Sequence, residues 1–156
     1  MRVTAKVDYA VRAVVALART EPAVPVKRDT LASDQDIPPA FLDDILRSLR
    51  NGQLLASQRG AAGGWRLARS AAEISVADII RAVEGPMAAV RGIPPHELVY
   101  ERTDAPLPQL WVAVRAALRH VLEETTVADL AAGRLPPHVE ALAEDPDAWL
   151  MRRRPT

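Results

Sequence analysis

The sequence predicts a mainly α-helical chain that carries one short β-hairpin and a long helix towards its C-terminal end. Apolar residues recur at helical spacing in several segments, and most of these segments begin with a capping residue or a proline. The glycine-rich stretch "QRGAAGGWRL" (58–67) lies between two strand-like runs, as the tip of a hairpin does. The length of 156 residues suits one domain of ordinary size with an appended oligomerisation segment.

The composition excludes several classes of function. Twenty basic and 20 acidic side chains balance, so any attraction to nucleic acid must come from local clustering of charge. The chain has no cysteine, which excludes disulfides, thiolate catalysis and cysteine-ligated metal sites. The start "MRVTAKVDYAVRAVVALAR" has charges spread through its apolar residues, unlike a signal peptide or a membrane span. We therefore expect a cytoplasmic protein with no membrane partner.

The first two helices are predicted from caps and breakers. Thr4 can cap a helix that runs to about Arg19 and ends before Pro22. A short second helix follows, with Leu31 and Ala32 facing inward.

The third helix begins at Pro38-Pro39, because the first helical positions do not need the N–H that proline lacks. Asn51-Gly52 ends it. Its predicted apolar stripe comprises Phe41, Leu42, Ile45, Leu46 and Leu49. The opposite, polar face comprises Ala40, Asp43, Asp44, Arg47, Ser48 and Arg50.

The predicted hairpin pairs residues 54–58 with residues 65–67, and Trp65 is expected to pack the base of the hairpin onto the helices. A compact fourth helix follows in "ISVADIIRAVEGP" (74–86). Ser75 and Asp78 form a start resembling a capping box, and Gly85 ends the helix.

The C-terminal half is divided by a proline-containing connector. We expect a DNA-contacting region at 1–85, a connector at 86–107 with a short helix around 95–100, dimerisation helices at 108–133 and a tail at 134–156. The long amphipathic helix starts at Pro108, and Thr126 with Asp129 starts a shorter one that ends at Gly133. The tail closes on "RRRPT" (152–156), which is expected to be solvated unless it adds phosphate contacts.

The predicted elements are a helix, a short helix, a turn, an amphipathic helix and a two-stranded hairpin. This is the element order of a winged helix-turn-helix, whose third helix enters the major groove of DNA. Local charge agrees with this interpretation, since residues 45–72 include five arginines and no acid. A neutral chain thus places a basic patch where a DNA-binding protein needs one. The five are Arg47, Arg50, Arg59, Arg66 and Arg69.

Three segments resemble the Rrf-two family of bacterial winged-helix regulators. They are "YAVRAVVALA" (9–18), "FLDDILRSLRNGQLLASQRGAAGGWRLA" (41–68) and "ISVADIIRAVEG" (74–85). That family includes the iron–sulfur cluster assembly regulator, the nitric-oxide-sensitive repressor and the cysteine metabolism repressor. The resemblance covers the first 85 residues strongly and extends weakly to "TTVADLA" (125–131). It implies a homodimeric transcription factor with recognition helices in successive major grooves and wings in the flanking minor grooves.

The resemblance also implies roles for particular residues. Ala40 and Asp43 match positions that meet bases, and Arg59 with Gly60 matches the part of the wing that enters the minor groove. An arginine is attracted to the negative potential of a narrow minor groove, and glycine lets the backbone approach. Asp43 either accepts from a cytosine amino group or is a first-turn acid favoured by the helix dipole. Phosphate contacts are expected from Lys27, Arg47 and Arg50.

The chain departs from the family pattern in two places. Ala61-Ala62 replaces the usual Pro-Gly of the wing, so a left-handed backbone there would be strained. The connector lacks the three cysteines of cluster-binding members, so no iron–sulfur cluster is expected. His96, Glu97 and Tyr100 lie in the corresponding segment and are candidate sensor residues, although an irregular solvated link is the simpler interpretation. No metal site is predicted, because the three histidines lack a zinc-ligand spacing.

The sequence therefore predicts a DNA-binding transcriptional regulator, a repressor that recognises a palindromic operator as a homodimer. A small metabolite or a partner protein would be its signal, with no cofactor predicted. The alternative is a dimeric metabolite-binding or protein-interaction module that keeps the fold but has lost DNA binding. An enzyme is not expected, because the sequence has no nucleophile–base pair or metal motif.

Overall fold

The computed structural model describes residues 3–22, 24–102 and 105–150, and the terminal "RRRPT" lies outside these ranges. No helix within them is long and apolar enough to cross a membrane. The α-helices and strands described are α1 (Ala5–Ala18), α2 (Arg28–Gln35), α3 (Pro39–Asn51), β1 (Leu55–Gln58), β2 (Gly64–Leu67), α4 (Val76–Glu84), α5 (Leu107–Leu122), α6 (Val127–Ala131) and α7 (Pro137–Glu144). Short 3₁₀ helices occur at Ala71–Glu73, Pro95–Glu97 and Pro146–Trp149. The predicted mainly α-helical fold with a two-stranded wing is confirmed.

Local signals set the boundaries of the first three helices, as predicted. The side chain of Thr4 accepts a hydrogen bond from the Val7 N–H at the start of α1. Asp36 ends α2 in the left-handed conformation, with a φ of 49°, and this residue reverses the chain into the turn before α3. Pro39 occupies the first position of α3, and Gly52 ends it. The helix-turn-helix is therefore built from α2, this turn and α3.

The core lies where α1, α3 and α4 meet. Its largest fully buried side chains include Leu42, Ile45, Leu46 and Leu49 of α3, so the predicted apolar stripe is largely confirmed. Phe41 is the exception, because it is 52% exposed. It stands at the edge of the stripe near the helix start, where its ring meets the ring of Tyr9 edge-on with 6.1 Å between centroids.

The hairpin pairs β1 and β2 in antiparallel register, with Ala56 opposite Arg66 and Gln58 opposite Gly64. A third segment joins its base, since Val26 and Trp65 exchange backbone hydrogen bonds of 2.9 and 2.8 Å. Trp65 is half-buried against the core, as predicted. The wing is thereby fixed to the segment that leads into α2.

Glycines shape the tip of the wing. Gly60 has a φ of +100°, whereas neither Ala61 nor Ala62 has a positive φ. The strain that we expected at the two alanines is therefore absent, because the unusual backbone conformation falls on the preceding glycine. A Cβ on Gly63 would lie 2.3 Å from the Gln58 carbonyl oxygen, so no other residue fits there without moving the backbone.

Of the C-terminal helices, α6 joins the same core, whereas no residue of α5 is buried. Capping boxes begin α4 at Ser75 and α6 at Thr126, as the sequence indicates. The Val76 N–H donates to the Thr125 carbonyl at 2.9 Å, and the Val127 N–H donates to the Ile74 carbonyl at 2.8 Å. Val127 is fully buried in the core cluster. The turn between α5 and α6 is therefore attached to the start of α4.

Two segments differ from expectation. In the connector, the helix expected over 95–100 is a 3₁₀ turn at Pro95–Glu97. The backbone leaves the helical conformation at Leu98, with a ψ of 128°, and the exposed Val99 supplies no packing that would support a further turn. Pro95 and Leu98 are buried, so this part is packed and is not an irregular solvated link. The expected tail contains α7, which has only one buried residue, Val139. So short a helix, with so little apolar periodicity, gives a weak sequence signal.

Candidate nucleic-acid interface

The two faces of α3 separate the core from the candidate interface. Leu42, Ile45, Leu46 and Leu49 are buried on one face. The predicted base-contacting residues Ala40 and Asp43, and the predicted phosphate-contacting residues Arg47 and Arg50, are all exposed. This arrangement follows from helical geometry, since residues outside the apolar stripe project away from it.

Asp43 is held by a cation that the sequence analysis did not single out. Arg28 Nη1 lies 3.3 and 3.2 Å from the two carboxylate oxygens of Asp43, and Arg28 Nη2 lies 2.7 Å from Asp29. Arg28 is the first residue of α2, where the helix dipole disfavours a cation. The sequence signal that could have identified Arg28 is a basic residue in this unfavourable position, directly after Lys27. The structure thus places Arg28 beside Asp43 on the exposed side of the helix-turn-helix.

Asp44 has a structural contact. Its carboxylate lies 2.7 Å from Lys6 Nζ of α1. The hydrogen bond and the charge of Lys6 lower the pKa of Asp44 below its ordinary value. Neighbouring acids on one helix therefore have different partners: Asp43 pairs with α2 and Asp44 with α1.

The wing presents the other predicted contacts. Arg59 and Gly60 are exposed at its tip, immediately after β1. The Gly63 N–H donates to the Gly60 carbonyl at 2.9 Å and closes the turn. Lys27 is brought close to the wing through Val26, although its separation from Arg59 in sequence is large.

The five arginines of the basic patch differ in whether their side chains have a partner within the described residues. Arg69 lies 3.7 Å from an Asp78 carboxylate oxygen, and Arg66 donates to the Leu67 carbonyl at 3.4 Å. The side chains of Arg47, Arg50 and Arg59 make no ion pair or hydrogen bond within residues 3–22, 24–102 and 105–150. Three exposed guanidinium groups on α3 and the wing are therefore available to phosphate or base acceptors.

Two of the three candidate sensor residues, His96 and Tyr100, are in contact with α5. His96 Nδ1 lies 3.1 Å from Arg115 Nη2, and its Nε2 lies 3.5 Å from Glu97. The Trp111 indole donates to the Tyr100 hydroxyl at 3.2 Å. An open cleft of about 370 Å³ lies beside this segment and is lined by Arg81, Gly85, Pro86, Met87, Pro94, His96, Arg115 and Arg119. The structure brings His96 to this cleft, whereas Glu97 and Tyr100 do not line it.

A buried three-helix core, a helix-turn-helix with an exposed third helix and a glycine-tipped wing define a winged helix-turn-helix transcriptional regulator. Comparison with known proteins gives the family. Residues 3–133 match the family described as "Rrf2: Iron-dependent Transcriptional regulator". The chain belongs to the Rrf2 (Rrf-two) family.

Individual relatives agree with this assignment. The chain is 51% identical over 145 residues to Rv1287 of Mycobacterium tuberculosis, which is named as an HTH-type transcriptional regulator, and the match covers 93% of this chain and 90% of the relative. The solved structure of CymR, the global cysteine regulator of Bacillus subtilis, superposes with a TM-score of 0.72 at 30% identity, covering 85% of this chain and 98% of CymR. The structure of T. potens IscR has a TM-score of 0.66 at 27% identity, covering 98% and 94%.

Proposed function

We propose that this regulator binds a two-fold symmetric DNA operator as a homodimer and represses transcription from the promoter that it covers. In this proposal α3 lies in the major groove and the wing lies in the minor groove. The observation that supports it most directly is that the guanidinium groups of Arg47, Arg50 and Arg59 are exposed and make no ion pair or hydrogen bond with the described residues. Exposed guanidinium groups on a reading helix and a wing match the charge of DNA.

The proposed contacts divide into positioning and reading. Lys27, Arg47 and Arg50 bind phosphates, which fixes the register of α3 on the duplex. Ala40 and Asp43 face base edges near the start of α3, and Arg28 orients the Asp43 carboxylate. In the wing, Arg59 enters the minor groove and Gly60 lets the backbone approach it.

The proposed dimer contact is α5. None of its residues is buried in the single chain, although the helix has an apolar stripe. Leu110, which lies on this stripe, is 50% exposed. A second copy of α5 would remove this apolar surface from water, which favours association. We accordingly assign 1–85 to DNA binding and 108–133 to dimerisation, with α6 also packed in the DNA-binding core.

The connector, residues 86–107, is the proposed signal input, with residues 134–156 as the C-terminal tail. Arg81, Arg115 and Arg119 give its cleft a cationic lining, which Glu123 partly neutralises by pairing with Arg81 and Arg119. An anionic metabolite fits this lining better than a cationic one. His96 is the candidate contact residue at the cleft. Glu97 lies beside His96, and Tyr100 holds the segment against α5 through Trp111. The ligand must bind the active and inactive dimers with unequal affinity to act as a signal.

The test is selection of DNA from a random-sequence duplex pool by the purified protein at two salt concentrations, followed by sequencing. Enrichment of a two-fold symmetric motif, with affinity that falls steeply as salt rises, is the expected result. A reporter gene behind the selected sequence then shows whether binding lowers transcription in the bacterial cytoplasm. Absence of binding at both salt concentrations would favour the alternative, an interaction module with this fold that has lost DNA binding.

A further inference from the structure

The end of α5 and the start of α7 bring two histidines and one glutamate together. His120 Nδ1 lies 2.6 Å from Glu124 Oε1, and His138 Nε2 lies 3.3 Å from Glu124 Oε2. The two imidazole rings are 4.4 Å apart between centroids, with 31° between their planes. One ligand atom from each side chain lies within 4.8 Å of the other two. We propose that His120, Glu124 and His138 bind a divalent transition-metal ion.

The spacing of these groups is close to what an ion requires. Zinc binds imidazole nitrogen and carboxylate oxygen at about 2.0–2.2 Å, so tetrahedral ligand atoms stand roughly 3.3–3.6 Å apart. The distances from Glu124 to the two imidazoles, 2.6 and 3.3 Å, differ from this range by less than about 1 Å. His120 and Glu124 are four residues apart and adjacent in space at the helix end, as helical geometry allows. Small side-chain rotations therefore suffice to form the site.

Hydrogen bonds of the same three side chains compete with metal binding. His138 Nε2 also lies 3.0 Å from the His120 carbonyl oxygen, so a protonated Nε2 donates there. An ion would replace that proton, because a histidine ligand must present a free nitrogen lone pair. Among the residues that the structure describes, no lysine or arginine pairs with Glu124, and Arg81 and Arg119 pair with the neighbouring Glu123. The Glu124 carboxylate is therefore left to the two imidazoles.

The ligand set selects the class of metal. Two imidazoles and one carboxylate suit zinc, cobalt, nickel or iron(II), whereas Mg²⁺ and Ca²⁺ prefer a shell of oxygen atoms. The side chains of His120 and Glu124 are more than half exposed, and that of His138 is 28% exposed. Solvent can thus deliver the ion and supply water as a fourth ligand. Zn²⁺ is the appropriate probe.

The position of the site gives the ion a structural consequence. Glu124 directly precedes Thr125, whose carbonyl accepts from Val76 at the start of α4 and whose hydroxyl donates to the Val121 carbonyl at 2.7 Å. An ion shared by the end of α5 and by α7 would brace the turn that joins the long helix to the DNA-contacting region. The binding proposal itself does not depend on DNA recognition, so its test stands apart from that of the proposed function.

The experiment is titration of Zn²⁺ into the full chain without a histidine tag, in competition with a chromophoric chelator. We expect one ion per chain, and Co²⁺ should give the visible absorption of a site with nitrogen and oxygen ligands. Loss of an outer-shell partner typically weakens metal affinity about 10–100-fold, so H138A and E124Q, which remove direct ligands, should weaken it by about 100-fold or more. Mg²⁺ should not displace Zn²⁺.

The chain offers a matched control, because His96 is its one other histidine. H96A should bind Zn²⁺ as the wild type does, and all variants should have the wild-type circular dichroism spectrum in chelator. Equal losses in H96A and H138A would overturn the proposal, since binding would then be non-specific. The proposal would also be overturned if the wild type bound Zn²⁺ no more tightly than the H120A/H138A double variant.

Discussion

Replacement of Arg59 by alanine tests the wing as a DNA contact. Arg59 is exposed at the wing tip, and its side chain has no hydrogen-bond or ion-pair partner in the part of the chain that the structure describes. The change should therefore alter the free energy of unfolding by less than about 0.5 kcal/mol. Any larger loss of DNA affinity then belongs to the complex and not to the fold.

The expected loss follows from the number of wings. One good contact to a base edge is worth about 1–3 kcal/mol, so the two wings of the proposed dimer contribute about 2–6 kcal/mol. This corresponds to affinity that is weaker by roughly 30-fold to 20,000-fold. If both arginines instead contact phosphates, the slope of log affinity against log salt should fall in magnitude by about 1.8.

Fluorescence anisotropy with the selected duplex, repeated over a series of salt concentrations, measures both quantities. Arg69→Ala is the matched control, because it removes an arginine from the same basic stretch whose charge is already opposed by Asp78 at 3.7 Å. It should change affinity much less than Arg59→Ala. Wild-type affinity in Arg59→Ala, or equal losses in both variants, would refute the assignment of the wing to DNA.

Three other variants test the fold and the wing. Leu46→Ala empties a fully buried position and should lower the free energy of unfolding by about 2–5 kcal/mol in chemical denaturation. Gly63→Ala should lower the free energy of unfolding more than Gly60→Ala in chemical denaturation, because the added Cβ meets the Gln58 carbonyl oxygen at 2.3 Å, whereas Gly60 has open space in the free protein and incurs only the cost of its φ. Lys6→Ala should raise the pKa of Asp44 in an NMR titration, because Lys6 lowers that pKa in the wild type. The lowered pKa stabilises the wild-type fold at pH values above the ordinary pKa of a carboxyl group. This stabilisation is lost as the pH falls through the pKa of Asp44 in the folded state.

Local signals in the sequence determined the elements of this protein. Thr4, Pro39 and the capping boxes at Ser75 and Thr126 fixed where helices begin, because a cap acts on backbone groups within three residues of itself. The glycines of the wing fixed the hairpin turn for a similar reason. The candidate DNA contacts Arg47, Arg50 and Arg59 could be predicted from a stretch of sequence without acids, although their binding role stays a prediction.

Tertiary structure alone decided which side chains meet. Arg28 pairs with Asp43 across two helices, and His138 reaches His120 and Glu124 from a helix that the sequence did not reveal. The histidine spacing in the sequence argued against a metal site, because the two histidines of the cluster are 18 residues apart and lie on different helices. Periodicity specifies the direction in which a side chain projects from its own helix. A contact between two helices depends instead on how their apolar faces pack. Packing brings together residues whose separation in the sequence no local pattern encodes.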